Sequence, residues 1–203
     1  IHEGIGNMKK LINIVLFMSL SLVADNEISV TQAGNSASID LEQLGSSNLI
    51  GGTSAESGSM TALDLDGVSM ILDINQIGSS NVFRSDAIDG DNFTGFFEFT
   101  GDSNVFDILM DSTGLIDSDY INMNINVTGS SNTFDLAVAE DDDASYLDLD
   151  WIITGGSNAF DFDIDYANAI NYVDVNGSSN TINFSGSGYA GTTSSDSGYF
   201  YLD

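Results

Sequence analysis

Cysteine and proline are absent from this 203-residue chain, which sets one histidine and three basic side chains against 31 carboxylates. Each shortage closes something. Without cysteine there is neither a disulfide framework nor a thiolate site. Without proline no residue is missing its ladder N–H, so strands can run in uninterrupted hydrogen-bonded rows. With so little His and Lys and no Cys, a serine nucleophile lacks its common bases, a metal site lacks nitrogen and sulfur ligands, and a phosphate loop lacks its lysine. The formal net charge of −28 repels polyanions, so nucleic acid and anionic membranes are not expected partners. What remains is carboxylate chemistry. Asp161 and Asp163 lie on one strand face and could be pictured as a glycan-hydrolysing pair, but aspartate is the default outward residue here and no enzyme is expected.

What the chain does contain is a repeat. From Ile121 to Val138 two alternating apolar/polar runs flank the turn Gly129-Ser130-Ser131-Asn132. Ile121, Met123, Ile125 and Val127 share one face before the turn, and Phe134, Leu136 and Val138 share it afterwards, the period of two of half-buried strands. The glycine is free to take positive φ and the small polar residues can bond the local backbone, so the chain can corner there. The same corner recurs with asparagine at Asn48, Asn81, Asn104, Asn132, Asn158 and Asn180, each three residues after Gly45, Gly78, Gly101, Gly129, Gly155 and Gly177. Successive asparagines are 33, 23, 28, 26 and 22 residues apart, and the extra length falls in Gly/Ser/Asp-rich stretches rather than in the strands. A short period with one apolar row per unit predicts an all-β solenoid, a β-helix with two strands per coil, because each unit buries its row only by stacking on neighbours.

At the front, Ile1–Asn7 precede a Met8-Lys9-Lys10 start and read as translated upstream residues. A short basic region, the mostly apolar run from Leu11 to Val23 and Ala24 before Asp25 resemble a secretory signal peptide, so residues 8–24 are expected to be a leader. Its removal would leave Arg84 as the one basic side chain of a single repeat domain, residues 25–203, placed outside the cell or on its surface. At the back, Tyr199–Asp203 repeat the start of the fifth unit around Ser145–Asp148, which reads as a domain truncated part-way through a coil.

Between Ile28 and Phe83 stand Gln32-Ala33-Gly34, then eleven residues later Gln43-Leu44-Gly45-Ser46-Ser47-Asn48, and then Gln76-Ile77-Gly78-Ser79-Ser80-Asn81. These segments resemble the curlin repeat of bacterial curli fibre subunits, Gln-x-Gly-x-x-Asn-x-Ala-x-x-x-Gln. Gln43 and Gln76 open intact Gln-x-Gly-x-x-Asn cores, whereas Gln32 has Ala37 where the asparagine belongs; Ile50 and Phe83 replace the Ala, and Ser54 and Ala87 the closing Gln. From the third unit the glutamine position becomes Phe99, Val127, Ile153 and Val175. The resemblance implies a secreted solenoid with Gln/Asn ladders whose copies stack end to end into amyloid-like fibres in a biofilm or on a surface. Its partners would be the chain itself and a nucleator or surface.

Spacing adds a ladder of its own. Phe83, Phe106, Phe134, Phe160 and Ile182 each lie two residues past a corner asparagine and should form a column. The asparagine side chains could bond one another along the axis at ~4.8 Å per coil, or each could cap its own turn. Outward rows are acidic at Asp73, Asp107, Asp135, Asp148, Asp150, Asp161, Asp163 and Asp174, so stacking brings like charges together unless rows are offset, salt screens them or calcium bridges them. No calcium loop is complete: Asp161-x-Asp163-x-Asp165 is followed by Tyr166 in place of glycine. Weak calcium binding is the one cofactor chemistry in view, and no metal ligand set is assigned. The expected function is a curlin-like structural subunit; the alternative is a monomeric acidic solenoid acting as an adhesin or calcium-dependent surface-binding module, and a polysaccharide-acting β-helix enzyme is remote.

Overall fold

The computed structural model describes residues 13–15, 27–51, 63–110, 119–138, 146–165, 169–187 and 199–203. The alternating segments form strands because every second side chain can leave water while the intervening one stays in it; β11 (Ile121–Thr128) alternates buried and solvated residues along its length. Two parallel sheets result. One holds β1 (Asn13–Val15), β4 (Ser38–Leu44), β7 (Ile71–Ile77), β9 (Thr94–Thr100), β11, β13 (Leu147–Thr154), β15 (Ile170–Asn176) and β17 (Tyr199–Leu202), in that order. The other holds β2 (Glu27–Ile28), β5 (Leu49–Ile50), β8 (Val82–Asp89), β10 (Val105–Met110), β12 (Thr133–Val138), β14 (Ala159–Asp165) and β16 (Thr181–Ser187). Next to them β3 (Thr31–Ala33) pairs with β6 (Leu63–Asp66), and β6 with β8. The chain thus winds from one sheet to the other as a β-solenoid of about five turns, with no helix among the described residues.

Each coil has two corners, one more than the Gly-x-x-Asn repeat reveals. The second lies at Gly34-Asn35-Ser36-Ala37, Gly67-Val68-Ser69-Met70 and Gly90-Asp91-Asn92-Phe93, and continues through Asp119-Tyr120-Ile121. Its backbone is that of the first corner, with glycine at positive φ and the third residue near φ 60°, but its fourth residue is apolar and points into the core. The eleven residues from Gln32 to Gln43 are therefore half a coil, a strand plus a corner. Gln32 stands before the second corner, in register with Leu65, whereas Gln43 stands before the first.

The core fills the space between the sheets. Leu41, Ile74, Phe97, Ile125, Trp151 and Val173 form one inward column on the first sheet, and Ile50, Phe83, Phe106, Phe134, Phe160 and Ile182 the facing column on the second. The ring column expected from spacing is present: Phe106 stacks on Phe134 at 4.5 Å and Phe134 on Phe160 at 4.7 Å. Trp151 meets Phe134 edge to face at 5.5 Å, interlocking the two columns. Of the expected leader, Asn13–Val15 pair with β4 as β1, and the rest, with Ile1–Asn7, lies outside the described residues.

Candidate functional site

The first corner is the most repeated structure in the molecule, and its hydrogen bonds run between coils rather than within one. Taking Gly129-Ser130-Ser131-Asn132 as the example, the N–H of Gly129 donates to Thr154 O at 2.8 Å, and that of Ser131 to Gly156 O at 3.1 Å, both on the next coil. The N–H of Asn132 donates to the side-chain Oδ1 of Asn158 at 2.9 Å, again on the next coil. The N–H of Ser130 turns the other way and is accepted by Asp102 Oδ1 of the previous coil. Every backbone donor of the turn is satisfied within the protein, although only Asn132 of the four residues is buried.

The asparagine bond repeats without interruption. Asn48 N–H donates to Asn81 Oδ1, Asn81 to Asn104, Asn104 to Asn132, Asn132 to Asn158 and Asn158 to Asn180, at 2.8–2.9 Å. Asn158 Nδ2 also donates to Gly129 O at 3.1 Å, and Asn180 Nδ2 to Gly155 O at 3.0 Å. From Asn81 to Asn180 each Oδ1 thus accepts from the corner backbone of the coil before it, and Asn158 and Asn180 add the second bond, whereas the buried Nδ2 of Asn81 and of Asn132 has no partner. This differs from both expectations, an amide-to-amide ladder and a local cap, because the preceding corner offers an otherwise orphaned N–H within reach of each Oδ1. The residue at the second corner position supplies an opposed ladder, in which Ser or Asp accepts from the next coil: Asp102 N–H to Ser79 Oγ at 3.3 Å, for instance, and Asp119 N–H to Asp91 Oδ1 at 3.0 Å at the other corner.

Glycine opens each corner for two reasons. Its φ lies in the left-handed half, +145° at Gly129 and +136° at Gly78, and a methyl group there would run into the carbonyl oxygen of Gly101 or Gly45 on the preceding coil. Gly45, Gly101 and Gly155 share that φ, and Gly177 shares the close approach, to Gly155. The third residue went unread in the sequence: Ser47, Ser80, Ser103, Ser131, Ser157 and Ser179 all sit at φ 59–60°. Its signal was the invariance of serine there, since short polar residues tolerate the left-handed region better than branched ones.

The glutamines form a ladder two rungs long. Gln76 Nε2 donates to Gln43 Oε1 at 2.8 Å, and the next residue in that column is Phe99, so the buried Gln76 Oε1 has no partner. Val127, Ile153 and Val175 follow in register, as the spacing implied. Gln32 belongs to neither rung and bonds Gly34 O of its own turn at 3.1 Å.

Outside the corners the acidic rows behave differently on the two sheets. On the first sheet Asp40 stands directly beside Asp73, whereas Asp148 and Asp150 face Asn122 and Asn124 on one side and Ile170 and Tyr172 on the other. On the second, Asp107, Asp135 and Asp161 stand directly in register, with Arg84 at one end, 3.4 Å from Asp107, and Asn183 at the other. Burial first, then the charges of Asp107, Asp161 and Asp163, hold the Asp135 carboxyl above the ordinary carboxylate value. Among the described residues no three such groups converge where they could hold one ion, and residues 140–143, the other acidic run, lie outside them. No helix there is long and apolar enough to cross a membrane.

No protein-family model matches the chain, and no curated protein or solved structure matches it either.

Proposed function

We propose that the protein is a structural subunit that assembles by end-to-end stacking of copies into extracellular fibres, in the manner the curlin resemblance implies. The observation behind this is the uniform junction between coils: from Asn48 to Asn180 each coil meets the next through the same corner bonds and register, whichever core residues it carries. Such a junction does not depend on which chain supplies the next coil. Among the described residues β16 and β17 are edge strands, and the N–H groups of Gly177, Ser179 and Asn180, whose counterparts donate to a following coil, meet no acceptor. An arriving copy would supply those acceptors and cover the half-exposed Phe184, Phe200 and Leu202. Self-repulsion at a net charge of −28 opposes the step, so assembly should need screening salt.

The test is to incubate the chain from Asp25 in sodium chloride at seawater strength without calcium, following thioflavin fluorescence and fibre diffraction. Seeded growth with a ~4.8 Å axial reflection supports stacking. A monomer that stays dispersed removes it and leaves the second reading, a monomeric surface-binding module, which an exposed aromatic face favours.

A further inference from the structure

The outward face of the first sheet changes character at its C-terminal end. In earlier coils two of its rows carry at most one exposed apolar residue per coil: Ser38 with Asp40, Ile71 with Asp73, Thr94 with Phe96, then Asn122 with Asn124. On β15 and β17 the same two rows carry Ile170 with Tyr172, and Tyr199 with Tyr201, paired directly across the strands. All four are solvent-exposed, Tyr199 by 55% and Tyr201 by 53%, and the Tyr199 and Tyr201 rings lie 6.2 Å apart with planes 12° from parallel. The coil-to-coil junction does not use these side chains, so winding the solenoid does not account for them. Carboxylates border the square on two sides. Asp148 and Asp150 precede it in register, and Asp203, held beside β15 by backbone bonds to Val173 and Val175, stands next to Asp174.

We propose that this face binds a glycan chain carrying ammonium groups, a glucosamine-rich oligomer being the simplest case. The faces of a pyranose ring present C–H groups that stack on the negative face of a tyrosine ring, and the exposed Tyr172, Tyr199 and Tyr201 bring three such rings together. The ammonium groups answer the bordering carboxylates, and the rings attract them by cation–π contact. Charge decides between occupants. A polyanionic glycan meets a face with no base among the described residues except Arg84, which lies on the other sheet. A second copy laid face to face would set Asp148, Asp150, Asp174 and Asp203 against the same four carboxylates. A lysine-rich peptide would satisfy the carboxylates and reach the rings with its ammonium groups, but it has no C–H face of a sugar to lay on them. The four side chains face outward from the sheet while β17 offers its backbone edge to stacking, so an arriving copy would continue this face at its border, and the inference holds for monomer and fibre alike.

The experiment is calorimetric titration of the full chain at pH 6 with glucosamine hexamer, its fully N-acetylated counterpart and hexalysine. The hexamer should bind, and N-acetylation should weaken it about tenfold or more. Tyr199→Thr with Tyr201→Thr should also weaken it about tenfold, as expected for aromatic anchors, while leaving the melting curve unchanged and weakening hexalysine far less, since that peptide loses only cation–π contact. Threonine keeps strand propensity, and Phe96→Thr, an exposed ring outside the square, should change nothing. Tyrosine absorption should shift on binding in the parent and not in the double variant. Hexalysine binding as tightly as the hexamer would overturn the proposal, as would equal binding of the N-acetylated chain or indifference to the tyrosine changes. A concentration-dependent dimer abolished by the double variant would overturn it too, by assigning the face to a second copy.

Discussion

At the scale of the residue the molecule depends on three of the four corner positions. Asn132 is 1% exposed and serves the backbone of another coil, so its truncation orphans the Asn104 N–H. Asn132→Ala should therefore destabilise the fold by about 2 kcal/mol, the usual cost of an unpaired buried donor. Urea titration read by Trp151 would show it, since this single tryptophan is fully buried and reports core exposure. Gly129→Ala should be worse, by about 4 kcal/mol or more, because the methyl group meets backbone that cannot yield and φ is left-handed. Ser131→Val places a branched residue at φ 60° and should cost about 2 kcal/mol, whereas Ser131→Asn should stay within about 0.5 kcal/mol of the parent. The same position explains Tyr120 and Tyr146, which hold φ 61° and 65° on the second corner and stack at 4.7 Å, offsetting part of their strain.

At the scale of the element, parallel in-register pairing is both the source of stability and its electrostatic cost. Burial first, and neighbouring carboxylates second, raise Asp73, Asp135 and Asp148 above the ordinary 3.8; the neighbours are Asp40 and Glu98, the Asp107–Asp161–Asp163 group, and Asp150. A carboxyl with a folded pKa above its unfolded one binds more protons in the native state between the two values. Stability must therefore fall as pH rises through that window, and it is regained on acidification to about 3.8. The expected result is a melting temperature that climbs from pH 7 towards pH 4, opposite to ordinary acid denaturation. Asp135→Asn should flatten the climb and stabilise the protein at pH 7 by about 0.5 kcal/mol, the scale of opposed charges on a sheet. Sodium chloride should give part of the same gain, because these groups are largely solvated.

For the molecule as a whole, a solenoid distributes stability by neighbours, so each coil is as secure as the two that flank it. Hydrogen exchange should be slowest at the corner amides of Asn81, Asn104 and Asn132 and fastest on β16 and β17, which lack a following coil among the described residues. Uniform protection along the axis would show instead that the coils open together. Stacking into fibres should slow exchange selectively at Gly177, Ser179 and Asn180, which ties this measurement to the proposed assembly.

The sequence by itself determined the fold class, the corner register and the ring column that follows each corner, because these follow from local periodicity and from glycine and asparagine three residues apart. Phe106, Phe134 and Phe160 could be aligned by counting from each corner, and the structure pairs them directly. The second corner was also written there, since Gly34, Gly67 and Gly90 repeat the 33- and 23-residue intervals of Gly45, Gly78 and Gly101. It escaped notice because its fourth residue is apolar and merges with the strand pattern. Only the tertiary structure decided where the asparagine carboxamides reach. That depends on the height of one coil above another, which brings an N–H of the preceding corner within range, and no local rule fixes that height. For the same reason Asp107, Asp135 and Asp161 came into register while Asp148 and Asp150 met no carboxylate across the strands, and Tyr172, Tyr199 and Tyr201 came together on one face: register between coils, unlike alternation within a strand, is settled by packing.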